Sequence, residues 1–220
     1  MIRIVLVDDQ ELLRTGFRMV LDSQPDMEVV GEAPDGAAGQ RLVAREHPDV
    51  VLMDVRMPVM DGVEATRRII ASGDRARVII LTTFDLDEYV HAALRAGASG
   101  FLLKDAPPAD LLSAIRAVAS GDAVVAPSTT RRLLETFAGH LPAPGGPTAD
   151  DPVADLTPRE VEILTAVARG LTNAEISHEL YLAEATVKTH VGRILAKLGL
   201  RDRVQVVIYA YERGLIRPSA

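Results

Sequence analysis

Short runs of Val, Ile, Leu and Met alternate with helix-length amphipathic stretches from Met1 to about Ser120, and this alternation restricts the chain more than any other feature. The runs are Arg3 to Val7, Met27 to Ala33, Val50 to Asp54, Arg77 to Thr82 and Gly100 to Leu103. Between and after them lie Gln10 to Ser23, Asp35 to Glu46, Asp61 to Ala71, Asp87 to Ala96 and Pro108 to Ser120, with Asp35 and Asp61 standing where helix N-caps are wanted. Near-continuous apolar runs belong to parallel strands covered on both faces. The pattern predicts five βα units in a doubly wound α/β layer with right-handed crossovers.

In such a sheet, functional side chains gather at the carboxyl ends of the strands. Here those ends are polar: Asp8-Asp9 after the first strand, Asp54 on the third, Thr82-Thr83 on the fourth and Lys104 after the fifth. With strand order 2-1-3-4-5, the first and third strands are neighbours, and Asp8, Asp9 and Asp54 converge. Three carboxylates so close repel one another unless a cation or a proton neutralises them. An all-oxygen set points to Mg²⁺. Asp54 could then attack a phosphoryl donor, with Thr82 and Lys104 receiving the phosphoryl oxygens. The plainer alternative is that the acids cap the following helices, which their joint occurrence disfavours.

The stretch LPAPGGPTADDPVAD, Leu141 to Asp155, holds four Pro and two Gly and reads as a flexible linker. The expected division is therefore 1–120, a linker over 121–155 with a helix at 128–140, and a second domain over 156–220. In that last part Thr157-Pro158-Arg159-Glu160 carries a capping box, opening a helix that stops at Gly170. Asn173 is expected to cap a short helix to about Leu180, a tight turn leads to Glu184 through Leu198, and a fourth helix covers Asp202 to Arg213. Four short helices, the middle two joined by a tight turn, predict a helix-turn-helix DNA reader.

Charge supports that division. The net charge is −7, but residues 1–155 hold 15 Lys and Arg against 24 Asp and Glu, whereas residues 156–220 hold 9 against 7. Lys188, Arg193, Lys197, Arg201 and Arg203 crowd into one segment of the second part, a face suited to a polyanion. With no Cys, disulfides, thiolate zinc sites and cysteine nucleophiles are excluded. No apolar run approaches membrane-spanning length, so the expected location is the cytoplasm, with no membrane partner.

Asp8-Asp9, LMDVRMPVMDG at Leu52 to Gly62, Thr82 and FLLK at Phe101 to Lys104 together resemble the receiver domain of two-component response regulators. LTPREVEILTAVARGLTNAEISHEL followed by ATVKTHVGRILAKLGLRDRVQVV resembles the LuxR-type helix-turn-helix, and the combination is similar to the NarL/FixJ family of transcription regulators. The resemblance implies a flavodoxin-like receiver with a five-stranded parallel sheet, then a four-helix all-α reader. It implies that a histidine kinase phosphorylates Asp54, and that Asp9, Asp54 and the Arg56 carbonyl bind Mg²⁺, with Asp8 acting through water. Thr82 and Phe101 would form a switch pair beside Lys104. Lys188 and Thr189 would face bases, while Asn173, Thr186, His190, Arg193 and Lys197 would hold phosphates. Val204, Val207, Ile208 and Tyr211 form an apolar stripe that serves the core and, in this family, pairs two readers. The partners implied are a cognate histidine kinase, promoter DNA, a second copy of the chain on activation and RNA polymerase.

Two readings of another kind remain open on the residues alone. A phosphohydrolase with an Asp nucleophile needs a second acid two residues on, where this chain has Arg56. A receiver that works without phosphoryl transfer would not require the full Asp8, Asp9, Asp54, Thr82 and Lys104 set. One departure from the receiver pattern is Asp105, where Pro usually follows the lysine in a cis linkage.

Overall fold

A computed structural model describes residues 1–83, 87–120 and 155–216. The chain divides into two compact units, Met1–Ala123 and Val124–Ala220. The helix expected at 128–140 lies outside the described residues, as does the linker up to 154.

In the first unit β1 (Ile2–Val7), α1 (Glu11–Asp22), β2 (Met27–Ala33), α2 (Gly36–Glu46), β3 (Val50–Asp54), α3 (Gly62–Ala71), β4 (Arg77–Thr82), α4 (Asp87–Arg95), β5 (Gly100–Leu103) and α5 (Pro108–Ala119) follow in strict alternation. The sheet is parallel with order β2-β1-β3-β4-β5. Ile4 to Val7, Val50 to Met53 and Val78 to Leu81 are fully buried, as strands covered on both faces must be. Ile4, Leu6, Val50, Leu52, Ile79 and Leu81 pack in one cluster with Leu21 of α1 and Leu111 and Ile115 of α5. The alternate residues face the opposite layer, where a Cβ on Gly39 of α2 would stand 2.8 Å from Val7. Asp35 and Asp61 cap α2 and α3, each accepting a backbone N–H at 2.8 Å. No described peptide bond is cis, so Lys104-Asp105 is trans.

The second unit contains α6 (Pro158–Ala168), α7 (Asn173–Leu180), α8 (Glu184–Leu198) and α9 (Arg203–Glu212). Thr157 and Glu160 form the expected capping box. At α7 the expectation of Asn173 as cap is corrected. Thr172 is the N-cap, pairing reciprocally with Glu175, and Asn173 is the first helical residue. The reason is the same Thr-x-x-Glu spacing that opens α6, which satisfies two orphan backbone donors at once. Ile163, Leu164 and Val167 of α6, Ile176, Val187, Ile194, Val207 and Tyr211 make a common core. No helix among the described residues is long and apolar enough to cross a membrane.

Candidate functional site

The register Val7↔Met53 sets the ends of β1 and β3 side by side and brings their acids together. One carboxylate oxygen from each of Asp8, Asp9 and Asp54 lies within 4.8 Å of the others. Asp8 is 2% and Asp54 5% exposed, whereas Asp9 is open to solvent. Lys104 follows β5, where its backbone N–H binds the Thr82 carbonyl at 2.8 Å. Its side chain, 6% exposed, places Nζ 2.8 Å from Asp8 Oδ2 and 2.9 Å from Asp54 Oδ2. Gly62 is required beside Asp54: a Cβ there would fall 2.0 Å from the Asp54 carbonyl oxygen.

The charges do not balance, with three carboxylates facing one ammonium. Burial pushes the Asp54 carboxyl above the usual carboxylate range, and Asp8 adds to this, against the opposing pull of Lys104 and the Arg56 N–H. For Lys104 burial works against the ammonium, yet its bonds to Asp8 and Asp54 prevail and raise its pKa. An all-oxygen, partly buried set with two uncompensated negative charges fits a hard divalent cation such as Mg²⁺.

Thr82 is buried at the end of β4, and its hydroxyl donates to the Thr83 carbonyl at 3.0 Å. Phe101 is half-buried on β5, opposite Ile80. Arg56 is exposed, and its guanidinium lies over the Tyr89 ring at 5.4 Å, a cation–π contact reaching toward α4. Sequence reasoning passed over Arg14, which touches the Asp8 carbonyl. Six residues separate the two, a spacing that carries no recognised local pattern.

On α8, Val187 and Ile194 are buried, while Val191, Leu195 and Leu198 are half-buried against the same core. Thr186, Lys188, Thr189 and Arg193 are exposed and His190 is half-buried. The Thr189 hydroxyl donates to the Ala185 carbonyl at 2.9 Å. Two residues expected to hold phosphates have partners within the fold. Lys197 Nζ donates to Glu160 Oε2 at 2.7 Å and to the Asp155 carbonyl at 3.0 Å, tying the last turn of α8 to the first turn of α6. Asn173 Oδ1 accepts from Arg203 Nη1 at 3.0 Å. The apolar stripe of α9 packs within the chain. Val204, Val207, Ile208 and Tyr211 are all buried within the single chain, Val207 and Tyr211 in the core of the second unit, because a small bundle needs that apolar area.

Comparison with known proteins accounts for both units. The response regulator receiver domain family matches residues 4–116, and the luxR family of bacterial regulatory proteins matches residues 154–210. The chain is a LuxR-family response regulator. This regulator is 44% identical over 217 residues to the transcriptional regulatory protein YxjL of Bacillus subtilis, covering 98% of each chain. It is 41% identical to LiaR of the same organism, covering 98% of this chain and 100% of the other. Among solved structures, the regulator resembles ChrA, described as a response regulator in a heme-sensing two-component system, with TM-score 0.52, 37% identity and 98% of each chain covered. The receiver domain of NarL from Mycobacterium tuberculosis matches with TM-score 0.53 and 38% identity over 55% of this chain and 97% of the other. It is thus a DNA-binding regulator in kind, and the phosphohydrolase alternative falls.

Proposed function

We propose that the regulator accepts a phosphoryl group on Asp54 from a sensor histidine kinase and, once modified, pairs with a second copy and binds promoter DNA through α8. The observation that carries this reading is the placement of Asp54 against both a buried lysine and two further acids. An Asp54 oxygen attacks the phosphorus of a phosphohistidine, and the P–N bond breaks with its electron pair left on the imidazole. The product is an acyl phosphate. Lys104 Nζ, 2.9 Å from the acceptor, is placed to neutralise the incoming phosphoryl oxygens. Asp9, Asp54 and the Arg56 carbonyl, with Asp8 acting through water, would hold Mg²⁺, which would supply the remaining charge neutralisation.

Phosphorylation adds about −1.5 to −2 charge to a site already rich in acid. Thr82 answers it by turning its hydroxyl from the Thr83 carbonyl to a phosphoryl oxygen, with Phe101 following inward on the neighbouring strand. That change alters the β4–α4–β5 face, which is the signal for pairing. On DNA, Lys188 and Thr189 read bases while Thr186, His190 and Arg193 hold phosphates, the division of labour expected of a recognition helix. Lys197, although exposed, and Asn173 brace the reader instead, through Glu160 and Arg203.

The test is intact-mass measurement after incubation with acetyl phosphate and Mg²⁺, followed by light scattering and gel shifts. The parent gains one phosphoryl group, dimerises and binds its operator more tightly, and Asp54→Asn does none of these. Equal phosphorylation of Asp54→Asn overturns the acceptor assignment, and a modified parent that stays monomeric overturns the pairing.

A further inference from the structure

Arg14 of α1 reaches back over the turn that follows β1. Its Nη1 donates to the Asp8 carbonyl at 2.6 Å and its Nε to Glu32 Oε2 at 3.1 Å. The side chain is 13% exposed. Glu32 sits on β2 opposite Leu6 of β1, and its other oxygen takes Arg18 Nε at 2.5 Å. Burial pushes the Glu32 carboxyl up, but the two guanidinium groups hold it below the usual carboxylate range, so it stays an anion. The planar guanidinium is suited to bridging two acceptors in fixed geometry, which a lysine ammonium on a flexible stem does less well.

The Asp8 carbonyl belongs to the peptide joining the two acids of the turn. Its orientation decides the direction from which the Asp9 side chain leaves the backbone. Asp8 and Asp54 are already fixed by Lys104, and Asp8 Oδ1 accepts the Gln10 N–H at 2.9 Å. Asp9, the exposed member of the triad, depends on the backbone of this turn for its position. We propose that Arg14, braced by Glu32, is a positioning residue for the divalent cation: it locks the Asp8–Asp9 peptide so that Asp9 completes the oxygen triad with Asp8 and Asp54. The inference rests on the Mg²⁺ site proposed above and deepens it. Residues that orient ligands from behind typically set metal affinity by about 10- to 100-fold.

Calorimetric titration of the full chain with MgCl₂ tests this, with Mn²⁺ binding followed by electron paramagnetic resonance as the second probe. The parent binds one ion. Arg14→Ala binds it roughly tenfold more weakly, and Arg14→Lys falls between, because one ammonium serves the two acceptors poorly. Arg18→Ala removes the other partner of Glu32 without touching the Asp8 carbonyl, and changes affinity by less than about twofold, below the span of ligand-orienting residues. In the metal-free chain, hydrogen exchange at the Gln10 amide quickens in Arg14→Ala while the amides of β3 keep their protection. That pattern marks a loosened turn in an intact fold. If the parent binds Mg²⁺ and Arg14→Ala binds it as tightly, the positioning role is wrong and the metal site stands. Equal weakening in Arg18→Ala traces the effect to general stability and also overturns the role, whereas a parent that binds no divalent ion overturns the metal site and this role with it.

Discussion

Each unit of the regulator draws a lysine against a buried carboxylate, and the two arrangements balance charge differently. In the receiver, Lys104 faces Asp8 and Asp54 with Asp9 beside them, and burial keeps the Asp54 carboxyl above its ordinary range. In the reader, Lys197 faces one carboxylate, that of Glu160, and the Asp155 carbonyl. That carboxylate, 3% exposed, also accepts the Thr157 backbone N–H and hydroxyl, and Lys197 with Thr157 pulls its pKa down to about 2. The first cluster leaves negative charge for a cation to offset. The second is satisfied within the fold and works as a brace between α6 and α8. A buried ion is costly to expose as an orphan, whereas an under-compensated cluster is a place where chemistry relieves strain.

The largest effect on stability should come from removing the acid of the satisfied pair. Glu160→Ala strips α6 of half its capping box and leaves Lys197 without its carboxylate, costing the second unit about 3 kcal/mol. Urea unfolding followed through amide resonances of α6 to α9 measures this, and a loss confined to those helices is expected. If Glu160→Ala unfolds at the parent's midpoint, the pair is not a brace.

Lys197→Met leaves Glu160 with its Thr157 partners and costs less, about 2 kcal/mol. Its pH signature is more telling. Because the folded Glu160 pKa lies near 2, below its unfolded value, its stabilisation is complete above about pH 4.5 and is lost as pH falls toward 2. Without Lys197, the first cause of that depression, the acid loss should begin at higher pH. Thermal midpoints of the two chains between pH 2 and 6 should therefore converge toward the acid end. A constant gap across that range would assign the loss to packing.

The contrast also explains what was legible in the sequence. The strand-end acids, Thr82 and Lys104 were visible because parallel strands put their carboxyl ends in one place, so a local pattern implied a three-dimensional cluster. The caps at Asp35, Asp61 and Thr157 were visible for the same reason: partner and cap lie within one turn. Thr172 carries the identical Thr-x-x-Glu signal, and the adjacent Asn173 is itself a favoured N-cap residue, so local sequence offers two caps one position apart. For Lys197 the family resemblance implies a phosphate contact, and its partner in the fold stands 37 residues earlier. No period of helix or strand links such positions. The same holds for Arg14 with Glu32, brought together by the packing of α1 against β2.

Asp54→Asn tests the under-compensated side. The amide removes a buried charge whose ionised form the site disfavours, and Lys104 keeps Asp8 at 2.8 Å. Receiver stability should hold or rise, by no more than about 1 kcal/mol, while phosphoryl acceptance disappears. A receiver markedly destabilised by this change would mean that the Asp54–Lys104 pair is structural, like its counterpart in the reader.

The two lysines and the arginine of α8 should separate from one another on DNA. Each phosphate contact contributes to the salt dependence of binding through released counterions, so losing one lowers the slope of log affinity against log salt by about 1. Arg193→Ala should show that reduction on specific and random DNA alike. Lys188→Ala should instead weaken the specific site by about 1–3 kcal/mol and disturb random binding less, because a base contact carries discrimination. Lys197→Met should leave the slope within experimental error of the parent. Its ammonium lies 2.7 Å from a buried carboxylate that already neutralises it, so few counterions gather there to be released. Any loss of affinity in this variant should then track the fraction of reader unfolded and vanish under conditions where α6 to α9 are fully formed. A slope reduced by a full unit in Lys197→Met, with the helices intact, would return this lysine to the DNA face and leave Glu160 held by Thr157 alone.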